Sequence, residues 1–149
     1  MNKLLFFGFS ICLAIVFANC KTNSRGSEMK NYLKDQFSLE IKDGLYAVLP
    51  VGACHYCFDS TLEYLESKDK NDKVTVILVG SNNLTLKLHK RKLKILKVLM
   101  DTGNNIYRYG IDEFSYPVLL EIKDDKLVNL VEVKVENYSN MKTTVDKYY

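Results

Sequence analysis

The chain has 149 residues, enough for one domain of ordinary size with processing segments attached. Hydrophobic residues make up 47% and charged residues 26%, an ordinary globular balance. The net charge of +3 is too small to argue for a nucleic-acid partner.

The first twenty residues read as a targeting segment. Lys3 gives a positive start, and Leu4 to Ala18 is apolar apart from Gly8 and Ser10. That run is short of the roughly 20 apolar residues of a membrane span and suits the hydrophobic stretch of a secretory signal. It ends in Phe17-Ala18-Asn19-Cys20, followed by polar Lys21-Thr22-Asn23-Ser24. This ending resembles a bacterial lipoprotein signal. The resemblance implies a signal over residues 1–19, lipidation of Cys20 and an exported, lipid-anchored location in the bacterial cell envelope, facing the periplasm. Phe17 and Asn19 depart from the Leu and the Ala or Gly usual there. Ordinary cleavage after Cys20 and an uncleaved anchor are the two other readings.

Residues 20–36 are polar and read as a tether leading into a weak helix. A folded domain is expected over 37–149. Phe37, Leu39 and Ile41 alternate with polar residues, a strand signal. Lys42-Asp43-Gly44 is a turn, and Leu45 to Leu49 is a continuous apolar run that suits a strand covered on both faces. The run breaks at Pro50 and Gly52, and Cys54-His55-Tyr56-Cys57 follows. Phe58, Leu62 and Leu65 then recur at helical spacing. Val74 to Val79 is β-branched and compact, the clearest strand in the chain.

Leu84 to Met100 carries two patterns. Leu84, Leu88, Ile95, Val98 and Leu99 share one helical face, yet Leu96, Val98 and Met100 alternate as in a strand. The expectation is a helix over Leu84–Lys92 and a short strand over Leu96–Met100. The cations Lys87, Lys90, Arg91, Lys92, Lys94 and Lys97 form either a solvated face or a patch for an anionic surface or partner. Asp101 to Asn105 reads as a turn that caps a short helix, Ile106–Tyr109. Pro117 opens a strand over Val118–Ile122. Lys123-Asp124-Asp125-Lys126 connects it to a second strand over Leu127–Val135, giving a hairpin. A final helix from Asn137 carries Met141 and Val145. This order is α/β with a mixed sheet.

Cysteine arithmetic isolates one pair. Cys12 lies inside the signal and Cys20 would carry lipid, so Cys54 and Cys57 are the thiols left to the domain. In an oxidising compartment such a close pair becomes a disulfide unless something reduces it. A helix N-terminus presents free N–H groups and a partial positive charge, which favour a thiolate at Cys54. Cys57, one turn on, can reach back to it. The chemistry is thiol–disulfide exchange, with no cofactor beyond the redox-active Cys54–Cys57 disulfide. His55, if protonated, would tune Cys54 further toward the thiolate; it also reads as an exposed residue with no such role.

With this order in place, the chain resembles thioredoxin-fold proteins, in particular their exported, membrane-tethered relatives. The resemblance rests on the Cys54–Cys57 pair between strand and helix. It rests also on Tyr109-Gly110-Ile111 leading into Pro117, a strand, a polar turn and another strand. It implies a thioredoxin-like α/β fold with a mixed central sheet flanked by helices and a C-terminal β-hairpin. It implies that Pro117 is cis and lies against the disulfide, with the Tyr116 backbone free to pair with a substrate strand. Expected partners are exported protein thiols and disulfides, an electron-transfer partner and the membrane through the lipid anchor. Ala53 stands where an aromatic residue is usual, Val48 where many relatives bury an acid, and Tyr116 where Thr, Val or Ile is common. Two extra residues lie between Ile111 and Pro117.

A binding or assembly module with a purely structural disulfide is the competing function. Zinc would need further ligands, and the chain has only His55 and His89 beside the cysteines, so no metal site is expected. Haem attachment would need His at Phe58. A peroxidase would need Thr and Arg grouped around an activated Cys, and no such grouping surrounds Cys54 in sequence.

Overall fold

The structure, a computed structural model, describes residues 26–94, 96–111 and 115–149. The signal, Cys20 and the first residues of the tether lie outside the described residues.

Five strands form one mixed sheet: β1 (Gly44–Pro50), β2 (Val74–Val79), β3 (Lys97–Asp101), β4 (Val118–Lys123) and β5 (Lys126–Glu132), in the order β3-β2-β1-β4-β5. β1 pairs in parallel with β2, and β2 with β3; β4 is antiparallel to β1 and β5 to β4. The helices are α1 (residues 26–37), α2 (His55–Glu66), α3 (Asn83–Lys92) and α4 (Tyr138–Asp146). This is the α/β arrangement that the resemblance implies, with the C-terminal hairpin in place.

Period-two alternation divides each buried strand between two cores. Leu45, Ala47 and Leu49 face α2, α3 and α4, against Phe58, Leu62, Leu65, Leu86, Met141 and Val145. Tyr46 and Val48 face the other side, against Met29, Tyr32 and Leu33 of α1 and Ile106. The steps β1 to β2 and β2 to β3 move in one direction across the sheet, so crossovers of one hand put α2 and α3 on the same face.

The N-terminal part of the domain departs from expectation. Residues 26–36 are not tether: they belong to α1, which buries Met29, Tyr32 and Leu33 almost completely. These positions, at i, i+3 and i+4, form a helical stripe that the polar residues around them hide in the sequence. The expected strand over Phe37–Ile41 is absent. Phe37 ends α1 with its ring edge-on to Tyr32, and Ser38 takes a left-handed φ of 54° that turns the chain back.

α3 also packs differently. Leu86 points inward and is fully buried, whereas Leu84 and Leu88 are exposed. Leu86 joins the core cluster of Leu49, Leu78 and Phe58 on that face of the sheet, alongside Gly80. The hairpin turn is tighter than expected. β4 and β5 run to Lys123 and Lys126, leaving Asp124 and Asp125 at φ of 50° and 60°, both positive as in the turns that suit strand twist.

Asp101, at the end of edge strand β3, is 3% exposed and ties several segments together. Its carboxylate accepts from the Tyr32 hydroxyl at 3.1 Å and from the backbone N–H groups of Gly103, Asn105 and Ile106 at 3.2, 2.9 and 2.8 Å. It thereby caps the 3-10 helix Asn105–Tyr109 and holds it to α1. Asp101→Ala leaves these donors unpaired in the interior and is expected to cost on the order of 3 kcal/mol in urea unfolding. Tyr32→Phe removes one bond to a charged acceptor and should cost about half as much.

Candidate functional site

The parallel strands β1, β2 and β3 end at the same edge of the sheet at which antiparallel β4 begins. In open α/β sheets, crevices form at such edges. Here a groove of about 580 Å3 opens beside Cys54, lined also by Gly80, Ser81, Asn104, Tyr107 and Ser115.

Pro50 closes β1, Gly52 turns at a φ of 96°, and Cys54 is the N-cap of α2. The Cys54 sulfur accepts from the Cys57 backbone N–H at 3.4 Å, using a donor that the first helical turn leaves free. Its own N–H donates to the Ser115 carbonyl at 3.1 Å. Cys54 is half-buried and opens into the groove, while Cys57 is only 2% exposed. Both thiols are free in this structure. Burial chiefly, with Cys54 adding, pushes the Cys57 thiol up to about 11. Thr61 donates to the Cys57 carbonyl at 2.6 Å and so braces the helix one turn below the pair. The structure thus separates an accessible sulfur from a buried one held protonated at neutral pH, the division of roles that an attacking and a resolving thiol require.

His55 turns away from the pair. Its side chain is 94% exposed, and Nε2 lies 3.2 Å from the Asp59 carboxylate one turn along α2. On the same side of α2, His89 of α3 stacks edge-on against Phe58, and burial, with Lys92 adding, lowers its pKa. The two histidines line a second cavity of about 430 Å3. Among the described residues no three His, Cys, Asp or Glu side chains group as metal ligands. No helix among the described residues is long and apolar enough to cross a membrane.

The structure brings the Ser115–Pro117 segment against Cys54, but not in the expected form. The described residues contain no cis peptide bond, so Pro117 is trans. The segment is pinned on both sides, by Cys54 N–H on the Ser115 carbonyl and by Val133 N–H on the Pro117 carbonyl at 2.8 Å. Tyr116 is half-buried beneath Lys134, whose Nζ is 5.4 Å from the ring centroid. The sequence held no signal for the Ser115 carbonyl, a backbone group, nor for Tyr107 and Ser81 as groove walls.

The chain matches no protein-family model and no curated protein. Among solved structures it is similar to the crystal structure of a peroxiredoxin-like protein from Aquifex aeolicus. The identity is 16%, the match covers 74% of this chain and 75% of that one, and the TM-score is 0.49.

Two outcomes follow from the site. Iodoacetamide at pH 8 should label Cys54 and spare Cys57 in the folded reduced protein, as read by peptide mass. The raised Cys57 thiol stabilises the reduced fold below the unfolded-thiol value of about 8.5. That contribution is lost as pH rises through about 11, so reduced wild type should lose more stability than Cys57→Ser between pH 9 and 11.

Proposed function

We propose that this chain is a membrane-tethered thiol–disulfide oxidoreductase of the bacterial cell envelope, lipid-anchored through Cys20. The observation that carries the redox reading is the half-buried Cys54 at the cap of α2 with Cys57 buried beneath it, in a thioredoxin-like sheet. The anchored, exported setting is supported by the apolar run before Cys20.

In the reducing direction, the Cys54 thiolate attacks one sulfur of a substrate disulfide and forms a mixed disulfide, expelling the other sulfur as a thiolate. Cys57 gives up its proton and attacks the Cys54 sulfur. The second substrate thiolate leaves, and a Cys54–Cys57 disulfide remains. Two electrons pass to the substrate, and a dithiol partner restores the pair by the same steps. Run backward, the cycle oxidises an exported dithiol. The groove beside Cys54 receives the substrate chain, with Ser115 and Tyr107 in its wall; Tyr116 and Pro117, the expected substrate contacts, follow Ser115 in the chain.

The helix N-terminal N–H donated to the Cys54 sulfur favours the reduced form, so the couple should be less reducing than thioredoxin. Equilibration with glutathione buffers should give a potential above about −270 mV. His55 is engaged with Asp59, and His55→Ala should move that potential by less than about 30 mV, a tenfold change in the equilibrium constant. Cys57→Ser should trap mixed disulfides through Cys54. Cys54→Ser, which keeps a good helix cap, should abolish insulin-disulfide reduction and dithiol oxidation with the fold intact. An inactive wild type would instead support a binding module with a structural disulfide.

A further inference from the structure

While α3 buries Leu86, it leaves a second apolar pair on its outer side: Leu84 and Leu88 are 69% and 51% exposed. They lie one turn apart on a stripe that also holds Lys87 and Arg91, at i, i+3, i+4 and i+7 spacing. Lys90 and Lys92 share the helix, Lys94 follows just past it and Lys97 opens β3; all four are exposed as well. No acidic residue occurs between Ser81 and Met100. None of these cations forms an ion pair among the described residues. The cations in the last turn of α3 complement its dipole. That explains Lys90, Arg91 and Lys92. It leaves unexplained the exposed leucines and the lysines beyond the helix.

We propose that this face docks on an anionic lipid surface, with Leu84 and Leu88 entering the interfacial region and Lys87 and Arg91 among the headgroups. Composition separates a bilayer from a protein partner. Protein interfaces are enriched in aromatic residues and depleted of lysine. This face has lysine at every charged position but Arg91, and no Tyr or Phe occurs between Ser81 and Met100. A field of one sign with two shallow apolar points fits a uniformly charged headgroup layer. The contact is separate from any anchor at Cys20, and it has a consequence for the redox pair. α3 starts just after Gly80, at the sheet edge that holds Cys54, and its Thr85 and His89 share a cavity wall with His55. Docking therefore holds the redox pair beside the bilayer rather than at the end of a free tether.

The chain contains no Trp, so Leu88→Trp introduces a single indole on the proposed contact. The full chain would be reconstituted with vesicles of phosphatidylglycerol or of phosphatidylcholine, each carrying brominated acyl chains. Indole fluorescence should be quenched several-fold more in phosphatidylglycerol. The excess should vanish in high salt, which screens exposed charges, and in a Lys87→Glu, Arg91→Glu background. Leu84→Trp provides a second probe should Leu88→Trp perturb the fold. Equal quenching in the two lipids overturns the proposal. Absence of quenching in both also overturns it and leaves an acidic protein as the occupant. Sedimentation with phosphatidylcholine vesicles reads the anchor separately, and insulin reduction reads the redox pair, so failure of this proposal is distinguishable from failure of the functional reading.

Discussion

Cys54 caps a helix that starts where a doubly buried strand stops, and the arrangement of the site depends on that junction. β1 is covered on both faces by apolar side chains, which fixes its end within the sheet. α2 is held along Phe58, Leu62 and Leu65. Neither element can shift without opening a core, so the sulfur at their junction inherits the rigidity of both. The Cys57 N–H, left free in the first helical turn, then meets that sulfur, while the Cys57 side chain enters the interior.

The opposite wall of the groove is held by polar contacts rather than by a strand. Asp101 gathers the turn after β3, the 3-10 helix and α1 around one buried carboxylate. A carboxylate can accept several bonds at once, so one side chain organises backbone that has no ladder to satisfy it. The Ser115 and Pro117 carbonyls do the corresponding work ahead of β4, accepting from Cys54 and Val133. Glu121, inside β4, is likewise buried and satisfied, by Asn129, Lys147 and Tyr148. Buried acids in this domain therefore serve the architecture, and the position that many thioredoxins give to an acid is held by the fully buried Val48.

Charge is distributed unevenly around this core. The pair itself lies between an exposed His55–Asp59 contact and the Lys134 that covers Tyr116. Positive charge concentrates instead on α3 and the start of β3, away from the groove. Chemistry at the pair and attraction to an anionic surface can thus be altered independently, because the groups responsible share no side chain.

Much of the fold was legible in sequence because its signals are local. The β-branched run at Val74, the apolar run at Leu45, the hairpin around Asp124 and the helical spacing of Phe58, Leu62 and Leu65 each specify an element without distant partners. The same holds for the Cys54–Cys57 pair, whose spacing is a property of one helical turn. Tertiary structure decided what depends on neighbours. It made residues 26–37 a core helix, because the sheet face bearing Tyr46 and Val48 needed cover and Met29, Tyr32 and Leu33 supplied it. It turned Leu86 inward and Leu84 outward, because only the former reaches the core cluster of Leu49, Leu78 and Phe58. It set Pro117 in trans and placed the Ser115 carbonyl beside Cys54, because backbone carbonyls take their places from the N–H groups they meet, here those of Cys54 and Val133, and not from residue type.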